Sequence, residues 1–148
     1  MDVMTFQGPG FHLNVPTNWV VFSNPQFQAM FVAPPSPAGR ANLGIALRPV
    51  SEGTELAKIA ETALAMQQKD YPKFKVVREG ALEGSGGKGF ERVYTWHNEQ
   101  QKIDLHQRQV MFLVKGVLTT LTATRENRKE AEELDKVLEA MVASFAFE

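Results

Sequence analysis

The sequence has no cysteine in its 148 residues, which excludes disulfide bonds, thiolate nucleophiles and cysteine-ligated metals. It also lacks an apolar run near the roughly 18–20 residues that a membrane-spanning helix needs. The first residues do not show the basic stretch and apolar core that are typical of an export signal. These absences predict a soluble, cytoplasmic protein without a membrane span.

An excess of charge of one sign is missing as well. Lys and Arg number 16 against 17 Asp and Glu, so the net charge is only −1. A nucleic-acid-binding protein usually carries a basic stripe, and none is present. The length and the 43% apolar content suit one compact domain, so we expect a single domain over residues 1–148 and no nucleic-acid partner.

The first half of the chain reads as short strands separated by proline-containing turns. Apolar alternation predicts strands at 11–15, 26–33 and 42–50. Apolar residues at helical spacing then predict a helix that ends at Tyr71-Pro72, with Thr54 as its N-cap and a solvated tail over 67–70.

The second half predicts four strands joined by hairpins, at 75–81, 89–97, 102–114 and 117–124. A final helix is expected after Asn127, where Glu130 would complete a capping box, and its buried stripe runs from Ala131 to Phe145. This order of elements predicts an α+β fold, with an antiparallel β-sheet of about six to seven strands and flanking helices.

Two glutamines interrupt the most apolar strand face of the chain, because Leu105, Gln107, Gln109 and Met111 alternate along one strand. A buried amide without hydrogen-bond partners costs about 1–3 kcal/mol. Register arithmetic across Lys115-Gly116 places Thr124 opposite Gln107 and Thr122 opposite Gln109. Either the amides form an internal ladder under a helix, or the face is an open trough that binds a partner.

The preceding hairpin, closed across 98–101, would set Trp96 beside Ile103, Tyr94 beside Leu105, Arg92 beside Gln107 and Phe90 beside Gln109. Trp19 is expected in the core, whereas Trp96 at the edge of the glutamine face is a candidate binding wall. The predicted partner-binding surface therefore comprises Leu105, Gln107, Gln109, Met111, Tyr94 and Trp96.

Motifs for catalysis are weak. The stretch 84–89 has the G-x-G-x-x-G spacing, but a strand-like segment follows it, which favours a hairpin tip over a dinucleotide site. Asp104 and His106, with His97 nearby, could serve a metal- or ligand-dependent enzyme, yet no third ligand is placed beside them. We therefore predict a non-enzymatic protein without catalytic residues, metal ligands or cofactors, and keep this site as an alternative.

Short motifs resemble a known family over most of the chain. Pro16-Thr17-Asn18-Trp19, Gln107-Arg108-Gln109 and the closing Ser144-Phe145 resemble the DcrB-like branch of the PsbP-like α/β sandwich superfamily. The resemblance implies a binding or accessory protein.

One branch of this superfamily, the Eag chaperones of type VI secretion, shields apolar transmembrane segments of effectors on a concave sheet. The spacing of Leu105, Gln109 and Met111 is similar to the groove residues of that branch. The resemblance implies a chaperone-like protein that holds an apolar segment of a polypeptide partner, and a homodimer is one possible assembly. An accessory or structural subunit is the alternative.

Overall fold

The computed structural model describes residues 2–25, 27–84 and 87–148, and most of them form two antiparallel sheets. The strands are β1 (Val3–Gly8), β2 (Phe11–Pro16), β3 (Val20–Asn24), β4 (Phe27–Val32), β5 (Ala41–Pro49), β6 (Lys75–Gly84), β7 (Gly87–Asn98), β8 (Ile103–Val114), β9 (Val117–Glu126) and β10 (Ala146–Phe147). The helices are α1 (Leu56–Asp70) and α2 (Asp135–Ser144), and a 3-10 helix at Lys129–Leu134 precedes α2.

The large sheet has the strand order β3-β4-β5-β9-β8-β7-β6, and the small sheet has the order β1-β2-β10. The α+β class and the sheet of about seven strands that the sequence predicts are confirmed. In the described residues, no helix is long and apolar enough to cross a membrane.

One side of the large sheet, here the closed face, is covered by the small sheet and α2. Phe11 of β2, Phe31 of β4 and Leu121 of β9 are fully buried in one continuous apolar cluster with Met141 of α2. The Phe145 ring stacks on Phe11 and Phe112, with centroids 5.4 and 6.1 Å apart. Trp19 is also buried in this core, as predicted.

On the other side of the large sheet, here the groove face, α1 is the one described helix that packs against the strands. The helix packs against β7 and β8, and Ala60 joins Met111 and Leu118 in a second, smaller apolar cluster. Alternation along each strand sends odd-numbered residues of β8 to this face and even-numbered ones to the closed face. The glutamines of β8 therefore lie under and beside α1.

The register of β8 with β9 is as predicted: Gln107 lies opposite Thr124 and Gln109 opposite Thr122. The predicted register of β7 with β8 is wrong by two residues, because Tyr94 lies opposite Gln107, Arg92 opposite Gln109 and Trp96 opposite Leu105. The hairpin closes at Asn98 and Ile103, one residue later than expected on each strand. Lys102 takes a left-handed conformation in the turn (φ 57°), and the Asn98 side chain accepts a hydrogen bond from the Gln101 amide.

Both predicted helix caps are wrong. Glu55, not Thr54, is the N-cap of α1, and no side chain caps that end, because the Thr54 amide closes a turn onto the Ser51 carbonyl. The last helical segment begins as the 3-10 helix after an extended Arg128, without the predicted capping box. The Glu130 carboxylate instead accepts a hydrogen bond from Arg128 Nη1 at 3.4 Å.

Three short strands, β1, β3 and β10, have no counterpart in the sequence prediction. The glycine-rich hairpin is present, since β6 and β7 pair as far as Gly84 and Gly87, but its tip at Ser85 and Gly86 lies outside the described residues. So does Gln26, the predicted start of the second strand.

Candidate functional site

A groove of about 770 Å³ opens on the groove face between α1 and strands β5, β9 and β8. Four residues of the predicted binding surface line it, namely Tyr94, Gln107, Gln109 and Met111. The other two, Leu105 and Trp96, lie opposite each other at one end of the face, outside the lining. The glutamine face is thus neither fully open nor fully covered, because α1 packs on its β7–β8 half and leaves the other half open.

Gln107 is held by the internal ladder that the sequence suggests. Its Oε1 accepts a hydrogen bond from Trp96 Nε1, and its Nε2 donates to Thr124 Oγ1, both at 2.8 Å. Both ends of this amide are therefore committed within the fold, and Gln107 acts as a fixed part of the groove wall.

Gln109 is only half satisfied. Its Oε1 accepts a hydrogen bond from Gln67 Nε2 of α1 at 3.1 Å. Its own Nε2 makes no hydrogen bond with any described residue, and the side chain lines the groove. The sequence placed Thr122 opposite Gln109 as its polar partner, but the structure gives Gln109 a helix residue, Gln67, as its hydrogen-bond partner and leaves its amide donor uncommitted at the groove.

Gln67 is the functional residue that the sequence analysis missed, because it was assigned to a solvated helix tail. It is only 2% exposed, and its Oε1 has no partner among the described residues. The signal was present: Gln67 follows Ala60 by seven residues, which returns it to the same side of a helix.

Arg92 anchors α1 from below. This side chain is 2% exposed; its Nη2 donates to the Ala60 carbonyl at 3.1 Å and its Nε to Glu79 Oε1 at 2.9 Å. Its guanidinium carbon lies 5.1 Å from the centroid of the Phe90 ring, a cation–π contact. Its Nη1 is buried without a partner among the described residues. The contact between α1 and the sheet is therefore polar, and one of its hydrogen-bond donors has no acceptor.

Aromatic residues close one end of the groove. The Tyr71 ring stacks on Trp96 with centroids 4.1 Å apart, and Tyr94 lies 6.2 Å from Tyr71. Burial raises the pKa of the Tyr94 hydroxyl far above its ordinary value, and nearby Tyr71 adds to the effect. Tyr94 therefore stays a neutral phenol, a hydrogen-bond donor and acceptor at the groove wall.

The apolar surface continues past the groove to the edge of the sheet. Gly44 lies between Thr122 and Met30 in the row of paired residues, and Phe22 of edge strand β3 ends that row. The Phe27 ring occupies the space above Gly44, where a Cβ would come within 2.5 Å of Phe27 Cε1. The edge strand exposes Phe22 (48%), although the sequence analysis did not detect it.

A sequence signal for this extension exists. Between Asp2 and Arg40 the chain contains no Asp, Glu, Lys or Arg. Exposed edge strands usually carry charges that block unwanted pairing, and β3 has none. The charge-free segment includes both strands that extend the groove face to this edge, β3 and β4.

The alternative site at Asp104 and His106 does not assemble. Asp104 Oδ1 contacts His97 Nδ1 at 2.7 Å near the exposed strand end. His106 instead lines a separate cavity of about 90 Å³ with Arg125 and Asp135. Burial, reinforced by the Arg125 charge, lowers the pKa of His106. In the described part of the chain, no three His, Cys, Asp or Glu side chains are grouped to hold a metal ion.

Solved structures of the same fold cover almost the whole chain. A Pseudomonas aeruginosa protein of unknown function has 19% identity and a TM-score of 0.70, with 96% of this chain and 94% of that chain covered. The Synechocystis PsbP protein CyanoP has 10% identity and a TM-score of 0.73, covering 99% and 92%. The Ran-binding protein Mog1p of Saccharomyces cerevisiae has 11% identity and a TM-score of 0.67, covering 99% and 96%.

At these identities the similarity establishes the fold alone. No curated protein sequence matches the chain. The sequence profile of the DcrB family, however, matches residues 12–144, which include both strands that carry the glutamine ladder and both helices. The chain belongs to the DcrB family.

Proposed function

We propose that this protein is a non-catalytic binding protein that holds an apolar segment of another polypeptide in the groove beside α1. The observation that carries the proposal is the composition of the groove. Its lining is apolar at Met111 and Leu118, yet it also includes the Gln109 amide with an uncommitted donor.

The apolar part of the groove supplies the driving force. Ile59, Ala63 and Met66 of α1 line the groove, and Met66 is 55% exposed although it is a large apolar side chain. An occupant that covers this surface gains about 25 cal/mol for each Å² of apolar area removed from water. Methionine adapts its shape readily, which suits a groove that accepts a segment of variable sequence.

The polar part of the groove favours a polypeptide over a hydrocarbon tail. Peptide groups that leave water need hydrogen-bond partners, whereas a hydrocarbon chain needs none. Gln109 Nε2 and the hydroxyls of Thr120 and Thr122 line the groove, and none of them donates or accepts a hydrogen bond within the described residues. These groups match the requirements of a main chain lying on the sheet.

The comparisons support the general class. One structural neighbour is named a Ran-binding protein and another is described as a proposed regulator, so neither name refers to catalysis. Together with the DcrB family profile, they fit a non-enzymatic regulator or binding protein. The specific role we propose is that of a cytoplasmic chaperone, monomeric or homodimeric, which shields an apolar segment of a secreted effector as in type VI secretion.

A direct test uses a fluorescein-labelled peptide with an apolar core of about 15 Leu and Ala residues, matched in length to α1. We expect the native protein to bind it and Met66→Asp to weaken binding by about tenfold or more, because a carboxylate must then be desolvated against the occupant. Fluorescence anisotropy gives the Kd values.

The matched control is Val77→Asp, since Val77 is 53% exposed on β6 and does not line the groove. That variant is expected to bind like the native protein. If the native protein fails to bind the peptide, or if both aspartate variants bind equally well, the proposed function is wrong.

A further inference from the structure

The charged residues that line the groove are all of one sign. Arg48, near the end of β5, and Lys58, in the first turn of α1, both line it, and no described lining residue is an Asp or Glu. Only the short connection from Val50 to Glu55 separates the two elements. The two cations therefore flank the same end of the groove.

Neither cation is held in a buried ion pair with a described residue. The Arg48 side chain makes no hydrogen bond or ion pair with any described residue. Within the described residues the Lys58 ammonium forms one ion pair, with Glu61 at 3.7 Å, and both side chains are more than 70% exposed. An exposed pair of this kind contributes about 0–1 kcal/mol, so it does not prevent Lys58 from binding another carboxylate.

The opposite end of the groove has a different character. There the lining includes Tyr71, Tyr94 and Gln107, none of which carries a charge at neutral pH. Along the side formed by β5, the face continues onto strands β4 and β3, which lie within the charge-free segment between Asp2 and Arg40. The groove is thus cationic at one end and neutral and aromatic at the other.

We infer that the occupant is an apolar polypeptide segment flanked at one end by acidic residues, which lie against Arg48 and Lys58. The inference rests on the proposed function and adds to it the charge and the orientation of the partner. Arg and Lys at the rim bind carboxylates through charge-assisted hydrogen bonds. Complementary charges at the edge of an interface fix orientation and raise the association rate more than they raise affinity.

The test compares peptides that share the apolar core described above and carry either Glu-Glu or Lys-Lys at one terminus, with each pair tried at either terminus. The native protein is expected to bind the better acidic peptide about fivefold or more tightly than its lysine counterpart in low salt. The preference should shrink in about 0.5 M NaCl, because salt screens exposed charges.

Charge reversal provides the decisive variant. The double variant Arg48→Glu/Lys58→Glu is expected to prefer the lysine peptide. Lys75→Glu/Lys129→Glu changes the net charge equally at two exposed positions outside the groove, and it should keep the native preference.

The outcomes separate this inference from the proposed function. Equal binding of acidic and lysine peptides by the native protein, or a control variant that switches preference like the groove variant, would overturn the inference and leave the apolar groove standing. Failure of every peptide to bind, including the uncharged one, would instead remove the proposed function.

Discussion

The two faces of the large sheet are built from the same strands, yet one is covered by other elements and the other carries an open groove. On the closed face, Leu121 and Val110 are fully buried beneath α2 and the small sheet. On the groove face, their neighbours Thr122 and Gln109 line an open groove of about 770 Å³. A single sheet can therefore provide stability through one set of alternate residues and a binding surface through the other.

The groove face also carries more unsatisfied polar groups. Of the three buried side-chain atoms without partners in the described part of the chain, Gln67 Oε1 and Arg92 Nη1 lie on the groove face, and Thr119 Oγ1 lies on the closed face. Each such atom costs about 1–3 kcal/mol. The contrast indicates that the closed face stabilises the fold while α1 is held more weakly.

The largest effect on the free energy of unfolding is expected from a substitution in the closed face. Leu121→Ala should lower the free energy of unfolding by about 2–4 kcal/mol, because it leaves a cavity among fully buried side chains. Thr122→Ala, the next residue but on the groove face, should cost less than about 1 kcal/mol. Urea unfolding of both variants measures the difference, and equal losses would contradict the distinction between the faces.

A smaller effect tests the hydrogen bond between α1 and the sheet. The Gln67–Gln109 hydrogen bond should give a coupling energy of about 0.5–1.5 kcal/mol in a double-mutant cycle of Gln67→Ala and Gln109→Ala. The cycle compares unfolding free energies of the two single variants and the double variant. Strictly additive effects would mean that α1 does not rest on Gln109.

The smallest effect concerns His106, on the closed face beside Arg125. Its pKa is lowered in the folded protein, mainly by burial, so the unfolded chain binds the proton more readily. Stability should therefore fall as the pH drops from the unfolded pKa, near 6.5, toward the lower folded value, and should be unaffected by this group above it. His106→Gln should flatten that part of the stability profile, and an unchanged slope would contradict the assignment.

The sequence predicted the sheet because alternation and hairpin turns act locally. The β8–β9 register followed from the two-residue turn at Lys115-Gly116, where both residues take positive φ. The β7–β8 register did not follow from the sequence in this way, because a longer turn can close at more than one pair of residues. In the structure Lys102 takes the left-handed conformation, and the turn closes at Asn98 and Ile103.

The groove was predictable only in part for the same reason. Gln107 and its Thr124 partner follow from strand register alone. The Gln67–Gln109 contact joins residues 42 positions apart on a helix and a strand, and nothing local determines which half of a face a helix will cover. The open half, with Arg48, Lys58 and Phe27, therefore became visible only in three dimensions.

The central claim, that one face is closed and the other binds, can be tested with methyl-labelled methionine in one NMR titration. Met66 and Met111 line the groove, whereas Met141 is buried in the closed face. On addition of the apolar peptide, we expect the Met66 and Met111 methyl signals to shift together while the Met141 signal stays in place. Unmoved Met66 and Met111 signals, or an equal shift of Met141, would contradict the account.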